Sequence, residues 1–227
     1  MPLDDAWFAS FGAQLSRPAV WRAYWTAWAV RGGGHADAGA FAQHEDVGSS
    51  VPSVPRIDAR ALFWRMMRIS RTPDPWMYPA LKRLRESGRF VLGALSNTVD
   101  FPVGVVDDRG EVFEKHLLHD AANEGDSTSI QDAFDVYVSS AHVGVRKPDP
   151  AAYELAVREL SRVAEERGMG EVKAGEVLFL DDIGVNLKFA RLSGLRTIKV
   201  KLGETKEAVR ELEREAEIEL LDERSKL

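Results

Sequence analysis

Three short polar segments carry the residue types that phosphoryl chemistry uses: Ser96-Asn97-Thr98, Arg146-Lys147-Pro148 and Asp181-Asp182. A hydroxyl and an amide beside exposed backbone N–H groups can hold phosphoryl oxygens, so Ser96 and Asn97 are candidate phosphate ligands. Lys147 offers a point positive charge able to offset crowded phosphate and carboxylate groups. Adjacent carboxylates are hard oxygen ligands, and Mg2+ uses only one or two of them and keeps several waters, so Asp181 and Asp182 are candidate metal ligands. Each segment also has a plainer reading: turn chemistry for Ser96-Asn97, a solvated lysine for Lys147, and a helix start favoured by the macrodipole for the aspartate pair. Their order gives them weight, since each follows closely behind a short apolar run.

Those runs alternate with helical patterns from Asp74 onward, the signature of βα units and a mainly parallel sheet. Asp74 and Pro75 can cap and open a helix with Leu81 and Leu84 inward, and Gly88 can end it. A buried strand is expected at Phe90–Leu95, a short edge strand or loop at Val103–Val106, a surface stretch over 120–129, and a strand at Val136–Ser139. Asp149 and Pro150 repeat the capping device ahead of a helix that turns Tyr153, Ala156, Val157, Leu160, Val163 and Ala164 inward, with Gly168 near its end. Val177–Leu180 then runs into Asp181-Asp182. A helix from about Val185 to Gly194, a strand at Arg196–Val200 and a terminal helix from Glu204 to about Asp222 complete the pattern, the last with Val209, Leu212, Ala216 and Leu220 inward. In an open α/β sheet, ligands bind beyond the carboxyl ends of the strands, where all three polar segments fall.

The part before Asp74 reads differently. Trp7, Phe8, Phe11, Leu15, Trp21, Trp25 and Trp28 recur at spacings near three and four, which is helical and points to a packed aromatic core. Gly32-Gly33-Gly34 breaks the pattern, and Gly48–Pro55 reads as a flexible loop. Helix resumes over Asp58–Ser70 through Leu62, Trp64 and Met66 until Pro73 ends it. The domain expectation is a small helical region at 1–73 and an α/β core at 74–227.

The 227 residues are 44% hydrophobic with a formal net charge of -6, enough for one sizeable core and unsuited to a general nucleic-acid or anionic-membrane surface. The chain contains no cysteine, which removes disulfides and thiolate chemistry and fits a reducing compartment, so a cytoplasmic location is the expectation. No apolar run reaches the roughly 18 residues a membrane helix needs, and Met1–Asp5 lacks the order of a signal peptide.

The segments Val91–Asn97, Gly144–Pro150 and Val177–Asp182, with Asn186, Ala190 and Gly194, resemble the haloacid dehalogenase superfamily. The likeness is to its branch with a small helical cap, similar to the phosphatase-like N-terminal domains of soluble epoxide hydrolases. The resemblance implies a Rossmann-like core beneath a cap, a Mg2+ cofactor held by Asp181 and Asp182, and hydrolysis of phosphate esters through an aspartyl-phosphate. It further implies that Ser96, Asn97 and Lys147 bind the phosphoryl group, with Ser96 and Lys147 in catalytic roles, and that the substrate is a small phosphorylated molecule.

One part of that pattern is missing. The family places its nucleophile, and a second aspartate two residues later, at the end of a first strand ahead of the cap. Here Met1-Pro2-Leu3 is too short for a strand and Asp4-Asp5-Ala6 has the wrong spacing. Tyr24–Val30 ends in Arg31 and Gly32, and Val103–Asp107 follows the cap region with Arg109 in the second aspartate's place. Without that strand its neighbours would keep unpaired backbone groups. A truncated product, a non-catalytic descendant or a strand supplied by a partner would each account for this. The expectation is therefore a Mg2+-dependent phosphatase of small phosphorylated molecules in truncated or inactive form. The alternatives are a non-catalytic phosphate- and Mg2+-binding or interaction protein and, below both, a 2-haloacid dehalogenase.

Overall fold

The computed structural model of the chain describes residues 3–23, 53–54, 56–114 and 128–221, which form two compact units, Met1–Met67 with Pro102–Phe113 and Arg68–Phe101 with Glu114–Leu227. The first boundary falls six residues ahead of the one the sequence suggests, and 102–113 goes with the helical unit. Val106 pairs with Val112 in a single antiparallel bridge, so Val103–Val106 is no strand.

In the helical unit, Asp4 caps α1 (Asp5–Leu15) by accepting the Trp7 N–H at 2.7 Å. The expected aromatic periodicity divides at Ser16-Arg17, and a second helical stretch occupies 18–23, beginning at Pro18, a residue suited to a first helical position. α2 (Ala59–Ile69) is capped by Asp58 through the Ala61 N–H at 3.0 Å. Phe63 packs edge-on against Trp7 and Phe8 at 5.1 and 5.7 Å, and Trp64 against Phe113 at 5.3 Å. These contacts make a packed aromatic core. Phe63 and Trp64 form the inward face of α2, whereas Met66, expected inside, is 47% exposed. Trp25, Trp28, Gly32-Gly33-Gly34 and most of Gly48–Pro55 lie outside the described residues, as does most of 120–129.

In the α/β unit, Asp74 accepts the Trp76 and Met77 N–H groups at 2.9 and 2.8 Å and starts α3 (Met77–Glu86), which ends before Gly88 in the left-handed conformation (φ 64°). β1 (Gly93–Ser96) pairs in parallel with β2 (Val136–Ser139), Gly93 beside Val136 and Ser96 beside Ser139. Asp149 caps α4 (Pro150–Glu166), which buries Ala152, Tyr153, Leu160, Val163 and Ala164. β3 (Leu178–Asp181), α5 (Gly184–Leu192) and β4 (Arg196–Lys199) make a parallel unit with Leu178 beside Arg196. α6 (Thr205–Ala216) stops short of the expected Asp222: Glu217 turns left-handed (φ 50°), and the Leu220 and Leu221 N–H groups double back to Glu213 Oε1 at 2.8 Å.

The strands form two separate two-stranded pairs, β1–β2 and β3–β4. Both pairs nevertheless share the same helical layers. Leu92, Leu178, Leu180 and Ile198 join one core with Ala80 and Leu84 of α3 and Val209 and Leu212 of α6. On the opposite side, Leu95, Val177 and Phe179 pack with Tyr153 of α4 and Ala190 of α5. α4 lies so close to β1 that a Cβ at Gly93 would sit 3.0 Å from Leu160 Cδ2. Residue alternation turns the peptide groups of Gly93 and Leu95 away from β2 and those of Leu178 and Leu180 away from β4. Among the described residues no hydrogen bond joins β1 to β3.

The amino ends of β1 and β2 are tied by Asp135, whose side chain is 3% exposed. Its carboxylate accepts from the Leu92 N–H at 2.9 Å and from Arg167 at 2.6 and 3.1 Å, with Arg85 at 3.2 Å. Burial pushes its pKa up, but the hydrogen bonds from Arg167 and Leu92 and the charges of Arg167 and Arg85 outweigh that and hold it below the usual carboxylate value. A depressed folded pKa contributes stability that is present above the unfolded value of about 3.9 and lost as pH falls through the folded one. Asp135→Asn is expected to lower stability at pH 7 by about 2–3 kcal/mol and to flatten the acid limb of the stability curve, measured by urea unfolding from pH 7 to pH 3.

Candidate functional site

The carboxyl ends of β1 and β3 bring the three sequence segments together around one ion pair. Lys147 Nζ donates to Asp181 Oδ2 at 2.7 Å, with side-chain exposures of 11% and 4%. The ammonium also lies 5.3 Å from the centre of the Phe179 ring, within cation–π range.

Asp181 closes β3, and its carboxylate has acceptor capacity for about four donors. Three protein donors occupy it: Oδ1 accepts the Ile183 N–H at 2.8 Å, Oδ2 accepts Lys147, and Asn186 Nδ2 is shared between the two oxygens at 3.1 and 3.2 Å. Asn186, buried in α5, is held in turn by Tyr153, whose hydroxyl donates to the Asn186 carbonyl at 2.8 Å. The Tyr153 phenol is pushed up to about 12, by burial first and then by the charge of Asp181.

Asn97 follows β1 and reaches the Lys147 loop. Its Nδ2 donates to the Lys147 carbonyl at 2.8 Å, and its Oδ1 accepts the Lys147 N–H at 2.8 Å. The Lys147–Pro148 peptide is cis. Thr98 is tied to the end of β2: its N–H donates to Ser140 Oγ at 2.9 Å, and its hydroxyl meets that of Ser139. Ser96 is half-buried at the end of β1, and no side-chain hydrogen bond engages its hydroxyl among the described residues.

Of the two aspartates expected to hold a metal, Asp181 is met by three protein donors, whereas Asp182 is exposed and has no protein partner among the described residues. No group of three or more His, Asp or Glu residues arranged to hold a metal occurs among the described residues. Asp182 offers one open carboxylate, a hard oxygen ligand of the kind Mg2+ takes alongside water and phosphoryl oxygens. Arg146 is exposed. Four side chains of the network are not among the site residues expected from sequence, Asn186, Tyr153, Ser139 and Ser140; Asn186 enters there only with the family resemblance and Tyr153 only as part of a helix face.

A family model described as haloacid dehalogenase-like hydrolase matches residues 14–194. The chain belongs to that family. Among curated relatives, bifunctional epoxide hydrolase 2 of Sus scrofa is 33% identical over 114 residues, 48% of this chain and 18% of that protein. A phosphatase of Mycobacterium tuberculosis is 33% identical over 101 residues, 44% of this chain and 42% of that protein. The chain thus spans less than half the length of these relatives. A solved family enzyme of Bacteroides thetaiotaomicron, in complex with magnesium and inorganic phosphate, aligns over 89% of each chain at 18% identity with a TM-score of 0.42. No described helix is long and apolar enough to cross a membrane.

Because the neutral phenol is favoured in the fold, Tyr153 contributes stability that is present below the unfolded tyrosine value of about 10 and lost as pH rises towards 12. Tyr153→Phe is expected to remove one hydrogen bond, cost about 1 kcal/mol at pH 7, and leave the tyrosinate absorbance titration unchanged up to pH 10.5 in the folded protein. Chemical unfolding and ultraviolet titration check the two parts.

Proposed function

We propose that this haloacid dehalogenase-like hydrolase carries a phosphatase-type site for small phosphorylated molecules, and that the described residues hold the phosphoryl group without supplying the nucleophile. The observation that carries the reading is the Lys147 ammonium, fixed 2.7 Å from Asp181 where the carboxyl ends of β1 and β3 converge. The resemblance of the three motif segments to phosphatase-like domains, and the mycobacterial relative's name, support it.

In this reading Lys147 faces the phosphoryl oxygens as a fixed positive charge, and the Ser96 hydroxyl donates a hydrogen bond to one of them. Asp182 is the residue that would hold Mg2+ directly, with Asp181 beside it as the fixed counter-ion of Lys147. When bound, Mg2+ would supply neutralisation of charge on the phosphoryl oxygens. Asp181 is held as the counter-ion of Lys147 in this reading, and Asp182 stands at the metal position. Covalent catalysis through an aspartyl-phosphate then needs a further carboxylate, and with no Asp-x-Asp strand legible in the sequence this reading expects little or no turnover of ester.

A second reading, an interaction protein built on the same scaffold, is favoured by one observation: the peptide groups of Gly93, Leu95, Leu178 and Leu180 point away from their strand partners and remain available for pairing among the described residues. The site is read as a hydrolase site in preference because Asp182 and Ser96 keep free oxygens beside a positioned lysine.

The deciding experiment combines phosphate binding by calorimetry with hydrolysis of an aryl phosphate, each in Mg2+ and in EDTA. The expected result is Mg2+-assisted phosphate binding, weakened about tenfold or more by Lys147→Ala and made Mg2+-independent by Asp182→Asn, with turnover at background. Turnover that needs Mg2+ and disappears in Asp182→Asn would show an attacking group within the 227 residues. Absence of phosphate binding would overturn the phosphoryl site and leave the interaction reading.

A further inference from the structure

The sequence makes Asn97 a phosphate ligand, and in the fold its carboxamide bonds the lysine loop. Nδ2 and Oδ1 bond the Lys147 carbonyl and N–H, both at 2.8 Å, so the side chain grips both main-chain polar groups of Lys147 as a neighbouring strand would. Only one orientation of the amide satisfies a donor and an acceptor together, so the pairing also fixes which atom is oxygen. Asn97 follows the last residue of β1 directly. The bond pair therefore transmits the position of β1 to the main chain of Lys147, whose ammonium is held at the other end by Asp181.

We infer that the Asn97 side chain is a positioning group for Lys147 and acts on a bound phosphoryl group through that lysine. The inference rests on the proposed phosphoryl role of Lys147 for its importance, but not for its geometry. Both ends of the lysine are anchored, main chain by Asn97 and ammonium by Asp181, and a long flexible cation becomes a preorganised one. Aspartate cannot replace Asn97, because it would set a carboxylate oxygen against the Lys147 carbonyl in place of a donor. A serine is too short to span both bonds.

Two measurements on the full chain test this. The first is calorimetric binding of inorganic phosphate to the wild type, Asn97→Ala, Lys147→Ala and the double variant. Asn97→Ala is expected to weaken binding about tenfold, and the double variant to bind no more weakly than Lys147→Ala alone, since a residue acting only through Lys147 has nothing left to position. Effects that multiply in the double variant would show a direct contact by Asn97 and overturn the inference.

The second needs no phosphate: acetylation of lysines by an N-hydroxysuccinimide ester, followed by mass spectrometry, with exposed Lys188 as internal reference. Asn97→Ala and Asn97→Asp are expected to raise the rate at Lys147 several-fold relative to Lys188. An unchanged ratio would overturn the positioning role, and a rise at every lysine would report unfolding, in which case Asn97→Ser is the variant that decides. If the wild type binds no phosphate, the proposed phosphoryl site fails while the acetylation ratio still judges Asn97.

Discussion

A carboxylate with almost no exposure is costly to bury unless it finds hydrogen-bond donors, and Asp181 imposes that demand on the α/β unit. The donors come from three directions: the Lys147 loop that follows β2, the first turn of α5 through Ile183, and the α5 side chain of Asn186. Tyr153 extends the demand to α4 through the Asn186 carbonyl. Elements distant in sequence thus meet at one point because a single buried charge requires them. The candidate site shares that requirement, since the lysine that satisfies Asp181 is the one proposed to meet a phosphoryl group.

A second buried aspartate works at the opposite end of the strands. Asp135 gathers the Leu92 N–H, Arg167 at the end of α4 and Arg85 in α3, and so fixes where β1 and β2 begin. Between the two aspartates, the β1–β2 register and the course of α4 are clamped at both ends. Gly93 completes the fit, because any side chain there would press on Leu160. Charge sets the ends and apolar packing fills the middle, and each of the two aspartates is met by several donors.

What the sequence revealed follows the range of the forces involved. Caps are local, and Asp74, Asp149 and the glycines at 88 and 168 were readable because a cap acts within one helical turn. Strand positions were readable to within a few residues from short apolar runs, although Phe90–Leu95 shortened to Gly93–Ser96 because Leu92 bonds Asp135 and Val136 at the edge of the ladder. Met66 was misplaced because its surroundings are set by tertiary contacts, with Phe63 and Trp64 taking the inward face of that helix. The two roles hardest to read were those of Asn97 and Asp135. Each bonds residues tens of positions away, and nothing in the local pattern of an asparagine after a strand, or an aspartate before one, distinguishes such a bond from ordinary turn chemistry.

The topology also orders the assembly of the molecule. β3, α5 and β4 follow one another with short connections, so their parallel pairing closes only a small loop and costs little chain entropy. β1 and β2 are separated by a much longer stretch of chain, and their pairing closes a larger one. Entropy therefore favours the C-terminal unit as the earlier structure. Lys147, which bonds to both Asn97 beyond β1 and Asp181 at the end of β3, can take its place only when the two pairs have come together beneath shared helices. The charge pair at the centre of the site is in this sense a lock closed late, on a scaffold whose halves are already formed.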